Sequence, residues 1–60
     1  MSLNNISEIR VVGHEDSLPV IVVTFTTRTF DEIRYRYEGY DALDILGGAD
    51  PKDYEGELLD

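Results

Sequence analysis

Hydrophobic and polar positions alternate every second residue through much of the first two thirds of this chain, then change to a helical spacing. Between Val20 and Thr27, Ile21, Val23 and Phe25 fall on one side while Val22, Thr24 and Thr26 fall on the other. This β-branched run has the period of two that a half-buried strand requires. Ile6-Ser7-Glu8-Ile9-Arg10-Val11-Val12 reads as the strand before it. The intervening Gly13-His14-Glu15-Asp16-Ser17-Leu18-Pro19 is rich in turn formers and predicts a hairpin loop of about seven residues. Thr27-Arg28-Thr29-Phe30-Asp31 holds neither Gly nor Pro, which predicts a wide loop or a bulge rather than a tight turn. From Glu32 to Glu38 the alternation is strict, with Ile33, Tyr35 and Tyr37 on one face and Glu32, Arg34, Arg36 and Glu38 on the other.

Gly39 breaks that strand, and Asp41 is placed to cap a helix over Ala42-Leu43-Asp44-Ile45-Leu46 that Gly47-Gly48 would end. So short a helix has no stability of its own and needs Leu43, Leu46 and Ala42 packed on the sheet. Asp50-Pro51 repeats the start signal for a helical turn reaching Tyr54. Beyond it, Glu55 to Asp60 is either a frayed tail or a segment pinned by Leu58 and Leu59. The predicted fold class is α+β: a three-stranded antiparallel sheet (β-β-β), followed by a short α-helix and a further helical turn packed on one face. The expected core is Ile9, Val11, Ile21, Val23, Phe25, Ile33, Tyr35, Tyr37, Leu43 and Leu46. Val12, Val20 and Val22 on the opposite face are left for a second subunit to cover, so a homodimer is one expectation.

Sixty residues make a single small domain, 1–60, near the lower size limit for one core, with 1–5 and 56–60 expected to fray. The chain has no cysteine, which removes disulfides and thiolate metal ligation. Its longest apolar run, Val20-Ile21-Val22-Val23, is too short to cross a bilayer, and no leader pattern precedes it, so a soluble cytoplasmic protein is expected.

Charge changes the picture more than size does. Five Lys and Arg against thirteen Asp and Glu give a net charge of −8. Residues 1–30 hold only −1 of it and residues 31–60 hold −7. Such a surface repels a phosphate backbone and attracts basic proteins, which disfavours nucleic acid as a ligand. Solubility and adaptation to high salt are the other readings of the same acidity.

Candidate chemistry is sparse. The one histidine, His14, stands beside Glu15, Asp16 and Ser17, and consecutive residues do not converge as a nucleophilic triad does. A catalytic carboxylate pair needs a cleft that shifts one pKa, for which a chain of this length has little room. Asp41, Asp44, Asp50 and Asp53 lack the calcium-loop pattern, no Cys or second His is present for zinc, and Gly47-Gly48 lacks the strand and Lys of a phosphate loop. No enzyme, metal site or cofactor is expected. Arg34 and Arg36 lie on the strand face opposite Tyr35 and Tyr37, whereas a single-strand binder sets rings and cations along one groove. Tyrosines in the core, with arginines paired to Glu32, Glu38 or acids of neighbouring strands, is the simpler arrangement.

The pattern resembles the KTSC domain, a small module found alone in bacterial and phage proteins and at the end of some lysyl-tRNA synthetases. The resemblance runs over residues 7–54. It rests on Ser7-x-Ile9 leading into Val12-Gly13, the apolar strand ending in Phe25, the central Tyr35-Arg36-Tyr37, and the helix with Leu43 and Leu46. It implies RNA association through Tyr35, Arg36 and Tyr37, with Arg34 and Arg36 as the nucleic-acid face.

The leading expectation from the residues is different. It is a non-enzymatic acidic module that binds a basic, nucleic-acid-binding surface of a partner protein by charge mimicry, the class that holds small acidic inhibitors of phages and mobile elements. Glu38, Asp41, Asp44, Asp50, Asp53, Glu55 and Glu57 are the expected partner-binding residues. A small structural or assembly subunit is the third reading.

Overall fold

A computed structural model describes residues 5–59 of the chain. Four strands form one antiparallel sheet in the order β1-β2-β3-β4, with β1 over Asn5–Glu15, β2 over Leu18–Thr26, β3 over Glu32–Glu38 and β4 over Glu57–Leu58. The helix α1 (Gly39–Leu46) and a 3-10 turn (Pro51–Asp53) cover one face. The α+β class and the β-β-β-α order match the periodicity. The tail is pinned rather than frayed, because β4 pairs with β3 and the Leu59 amide donates to the Arg34 carbonyl at 2.8 Å. Residues 1–4 and Asp60, expected to fray, lie outside the described residues.

The first hairpin is much tighter than its composition predicts. Gly13, His14 and Glu15 belong to β1, and Leu18 and Pro19 to β2, so the loop is Asp16-Ser17 alone, both at positive φ (52° and 69°). That pair of left-handed residues matches the right-handed twist of the strands it joins, which a longer loop of turn formers would not need. Bulges at Ser7 and Val12 absorb two extra residues of β1, and Ser7 Oγ donates to the Thr24 carbonyl at 3.3 Å.

The second hairpin is knit by side chains. Thr27 Oγ1 accepts from the amides of Thr29 and Asp31, and Thr29 Oγ1 donates to Asp31 at 2.8 Å. Phe30, 85% exposed, takes the left-handed position (φ 65°) that glycine occupies in most three-residue hairpins. A bulky residue is strained there, so Phe30→Gly is expected to stabilise the domain by about 1 kcal/mol, read as a higher urea midpoint.

β2 is the centre of the fold. Ile21 and Val23 are fully buried beneath α1, joined by Phe25 from the same strand, Tyr37 from β3, and Ala42 and Ile45 from the helix, with Tyr35 and Tyr54 packed at the margin. On the other face of β2, Val20 and Thr24 are also buried. Thr24 lies between Glu8 of β1 and Arg34 of β3, and Val20 between Gly13 of β1 and Glu38 of β3. Val20 therefore does not await a second subunit, and of the three valines on that face only Val12 is exposed.

Four expected core residues are not core. Ile9, Val11, Leu43 and Leu46 are all exposed, at 39%, 46%, 46% and 44%. The helix explains this. α1 has four apolar residues in sequence stripes wide enough to bury either half, and it docks on Ala42 and Ile45 rather than on Leu43 and Leu46. It packs chiefly on β2 and less on β3, so the helix-side face of β1 is left partly open. Helix start and stop are set by backbone geometry. Gly39, at φ 69°, turns the chain directly from β3 into α1, and Glu38 is the capping position with no side-chain cap bond. Asp41, expected as the cap, lies instead within the first turn, where its charge faces the positive end of the helix dipole. At the other end Gly48 (φ 116°) closes a Schellman motif: its amide bonds to Ile45, and that of Ala49 to Asp44. Asp50 caps the 3-10 turn as expected, accepting from the Lys52 amide at 2.9 Å with Pro51 next in line.

Candidate functional site

The two faces of the sheet treat charge differently. On the open face, Arg10 pairs with Glu8 at 3.1 Å and Arg34 with Glu32 at 2.7 Å. Arg36 lies among Glu38, Glu15 and Glu57, at 3.1, 3.8 and 3.8 Å. Alternation places these side chains together, and β4 returns to β3 so that Glu57 stands directly opposite Arg36. The arginines of the Tyr-Arg-Tyr strand are thus satisfied within the chain. The tyrosines point the other way, with Tyr37 buried and Tyr35 half-buried. Rings and guanidiniums do not share a surface.

The helical layer is built from the opposite material. From Gly39 onward the only cation is Lys52, against Asp41, Asp44, Asp50, Asp53, Glu55, Glu57 and Asp60. Among the described residues, Asp41, Asp44, Asp50, Asp53 and Glu55 form no ion pair. Asp44 accepts from the Tyr54 hydroxyl at 3.2 Å, and Asp50 is occupied by its cap bond. Tyr54 is where the acids meet. Its phenol is pushed above the ordinary 10.0 by partial burial, by the bond to Asp44, and by the fields of Asp44, Asp41 and Asp53.

The expected seven partner-binding residues therefore do not make one surface. Asp44 bonds to Tyr54, and Asp41 and Asp53 are near enough to raise its phenol, with Asp50 and Glu55 on the adjoining segment, while Glu38 and Glu57 belong to the open face and stand beside Arg36.

Beside this acidic rim lies a concavity of about 390 Å³, a feature with no signature in any one stretch of the sequence. Its floor is aromatic. Phe25 meets Tyr35 edge to face at 5.8 Å, and Tyr35 lies 6.4 Å from Tyr37, with Pro51 and Tyr54 forming the wall and Lys52 and Glu55 at the mouth. Tyr37 Oη donates to the Pro51 carbonyl at 3.1 Å, which ties the 3-10 turn to the sheet and holds the wall in place. Burial, then the neighbouring Tyr35 and Asp50, raises the Tyr37 phenol as well. The signal in the sequence was present but scattered, because residues 25, 35, 37 and 54 meet only after the hairpin and the helix have folded.

Both phenols are raised in the folded chain relative to the unfolded one. Their contribution to stability is whole below pH 10.0 and is lost as the pH rises through that value toward their folded pKa. In an alkaline titration, tyrosinate absorbance is expected to include a later phase, above pH 10.0, from these two phenols. Tyr37→Phe and Tyr54→Phe should each shrink the later phase.

No group of three or more His, Cys, Asp or Glu among the described residues is placed to hold a metal ion, and no helix among them is long and apolar enough to cross a membrane. Comparison with protein-family models, with curated proteins and with solved structures found no match to this chain. The KTSC likeness is carried by the residues quoted for it alone.

Proposed function

We propose that this chain is a non-enzymatic acidic interaction module that docks its helical layer against a basic surface of a partner protein, its carboxylates standing where the phosphates of a nucleic acid would. One observation carries the reading: each arginine of the open sheet face has a glutamate of that face beside it, whereas among the described residues Asp41, Asp44, Asp53 and Glu55 form no ion pair and lie near an aromatic concavity. Glu38, Glu15 and Glu57 share Arg36, so a partner's cation would compete with it there. Carboxylates clustered around Tyr54 repel one another, and a guanidinium or ammonium brought among them relieves that repulsion. The aromatic floor adds a face on which an arginine or lysine side chain can lie.

An arginine-rich peptide serves as the probe. Its affinity for the chain is expected to fall steeply as salt rises. Neutralising three acids together, as Asp41→Asn, Asp44→Asn and Asp53→Asn, should weaken it by about tenfold or more and flatten the salt dependence. The same number of neutralisations on the open face, Glu8→Gln, Glu32→Gln and Glu38→Gln, should cost much less. Equal loss from both sets would mean that bulk charge, not this surface, does the binding.

A further inference from the structure

The helix-side face of β1 is the second unsatisfied surface of the molecule. Ile6, Ile9 and Val11 form an apolar row on it, each 39–46% exposed, next to the outer edge of an eleven-residue strand that pairs with β2 on one side only. Leu43 and Leu46 overlook the same row. The bond from Tyr54 to Asp44 turns the acidic side of α1 toward the 3-10 turn and β3. At about 100° per residue, Leu43 and Leu46 then stand roughly 160° away, on the β1 side.

We infer that a second copy of this chain covers this face, pairing β1 to β1 antiparallel about a two-fold axis through Ile9 to make one continuous sheet. Charge selects both the occupant and the register. Residues 5–15 hold one arginine against two acids, while most of the −8 lies across the molecule, so β1 is the edge where two copies repel least. An axis perpendicular to the sheet keeps like-facing residues opposite one another. Centred on Ile9, it sets Glu8, paired with Arg10 of its own chain at 3.1 Å, also against Arg10 of the partner subunit, twice over, and Ile9 against Ile9 of the partner subunit. Centred on Glu8 or on Arg10, it would set like charges face to face. The bulges at Ser7 and Val12 leave Glu8 to Arg10 as the stretch this axis pairs in regular register, and Val11 falls opposite the bulge at Ser7 of the partner subunit.

The two helices would then lie on the same face. Each packs chiefly on its β2, and three strand spacings separate the two β2 strands by about 14 Å. Directly packed helices lie about 8–10 Å apart. The remaining gap is one that Leu43 and Leu46 fill from both sides over the two rows of Ile6, Ile9 and Val11. The acidic rims face outward at the two ends, so the assembly would present two copies of the surface proposed above, though the dimer does not depend on that proposal.

Sedimentation of the whole chain tests this. The expected species is a dimer with twice the 6.8 kDa of one chain. Glu8→Arg or Arg10→Glu alone should weaken the dimer by about tenfold, and the two together should restore it to within about threefold of the parent. Because the chain has no cysteine, Ile9→Cys adds a reading that does not depend on these charges. Under mild oxidation it should cross-link into covalent dimers much faster than Phe30→Cys, with circular dichroism verifying that each variant is folded. A chain that sediments at 6.8 kDa at every concentration, a double charge exchange no tighter than the single ones, or Ile9→Cys cross-linking no faster than the control would each overturn the inference.

Discussion

Ile21→Ala is expected to remove most of the stability of this domain. Ile21 is fully buried at the middle of the central strand, where it touches the side of the sheet that α1 covers and belongs to the same cluster as Val23, Tyr37, Ala42 and Ile45. Truncating such a residue costs the transfer energy of the lost methyl groups plus the cavity they leave, about 2–5 kcal/mol. A domain of this length has roughly 3–9 kcal/mol to lose. With so few buried side chains there is no second layer to collapse into the space. Urea unfolding should show the midpoint falling by half or more, with Ile21→Val losing only about 1 kcal/mol. A midpoint that Ile21→Ala leaves unchanged would mean that the core lies elsewhere.

Gly56→Ala is the second large loss, and it is one that composition hides. A Cβ on Gly56 would lie 2.7 Å from Cε2 and Cζ of the Tyr37 ring and 3.1 Å from the Arg36 carbonyl oxygen. Neither side can give way cheaply. The Tyr37 ring is 4% exposed and held at its hydroxyl by the Pro51 carbonyl, and the next residue along the chain, Glu57, is paired with Arg36 in the sheet. Overpacking of this kind costs about 1–3 kcal/mol. The strain should also loosen the 3-10 turn and β4 ahead of the rest, visible as faster amide exchange at Glu57 and Leu59. Gly13→Ala is the matched control. A Cβ there has no neighbour within 4 Å, so its effect should stay within about 0.5 kcal/mol.

The parts of the fold that periodicity determines were legible in the sequence. The alternation in β2 and β3 identified Ile21, Val23, Phe25 and Tyr37 as inward-facing, and it separated the arginines from the tyrosines before any contact was known. Capping signals that bind their own backbone were legible too, as at Asp50 and the Gly47-Gly48 stop. What escaped were choices made between elements. A helix with Ala42, Leu43, Ile45 and Leu46 can bury either half of its apolar stripe, and the half is selected by the Gly39 turn and the Asp44–Tyr54 bond across ten residues. The loop of turn formers from Gly13 to Pro19 closed into two residues because the strand pairing on either side outweighed local preference. The aromatic concavity needed residues far apart in the chain, so no local window could contain it.

The same limits apply to the candidate site. The acidity of the second half was plain from composition, but which acids were engaged within the chain was not. Glu38 and Glu57 look no different from Glu55 in sequence, and only the register of β3 with β4 assigns them to Arg36.

The division of charge between the two faces is the centre of this account, and amide chemical-shift mapping with an arginine-rich peptide tests it most directly. Shifts are expected to concentrate in α1 and in residues 50–56, around Asp41, Asp44, Asp53 and Tyr54, while β1 and the amides of Glu32, Arg34 and Arg36 stay still. Shifts spread evenly over both faces, or concentrated on the arginine face of the sheet, would contradict it.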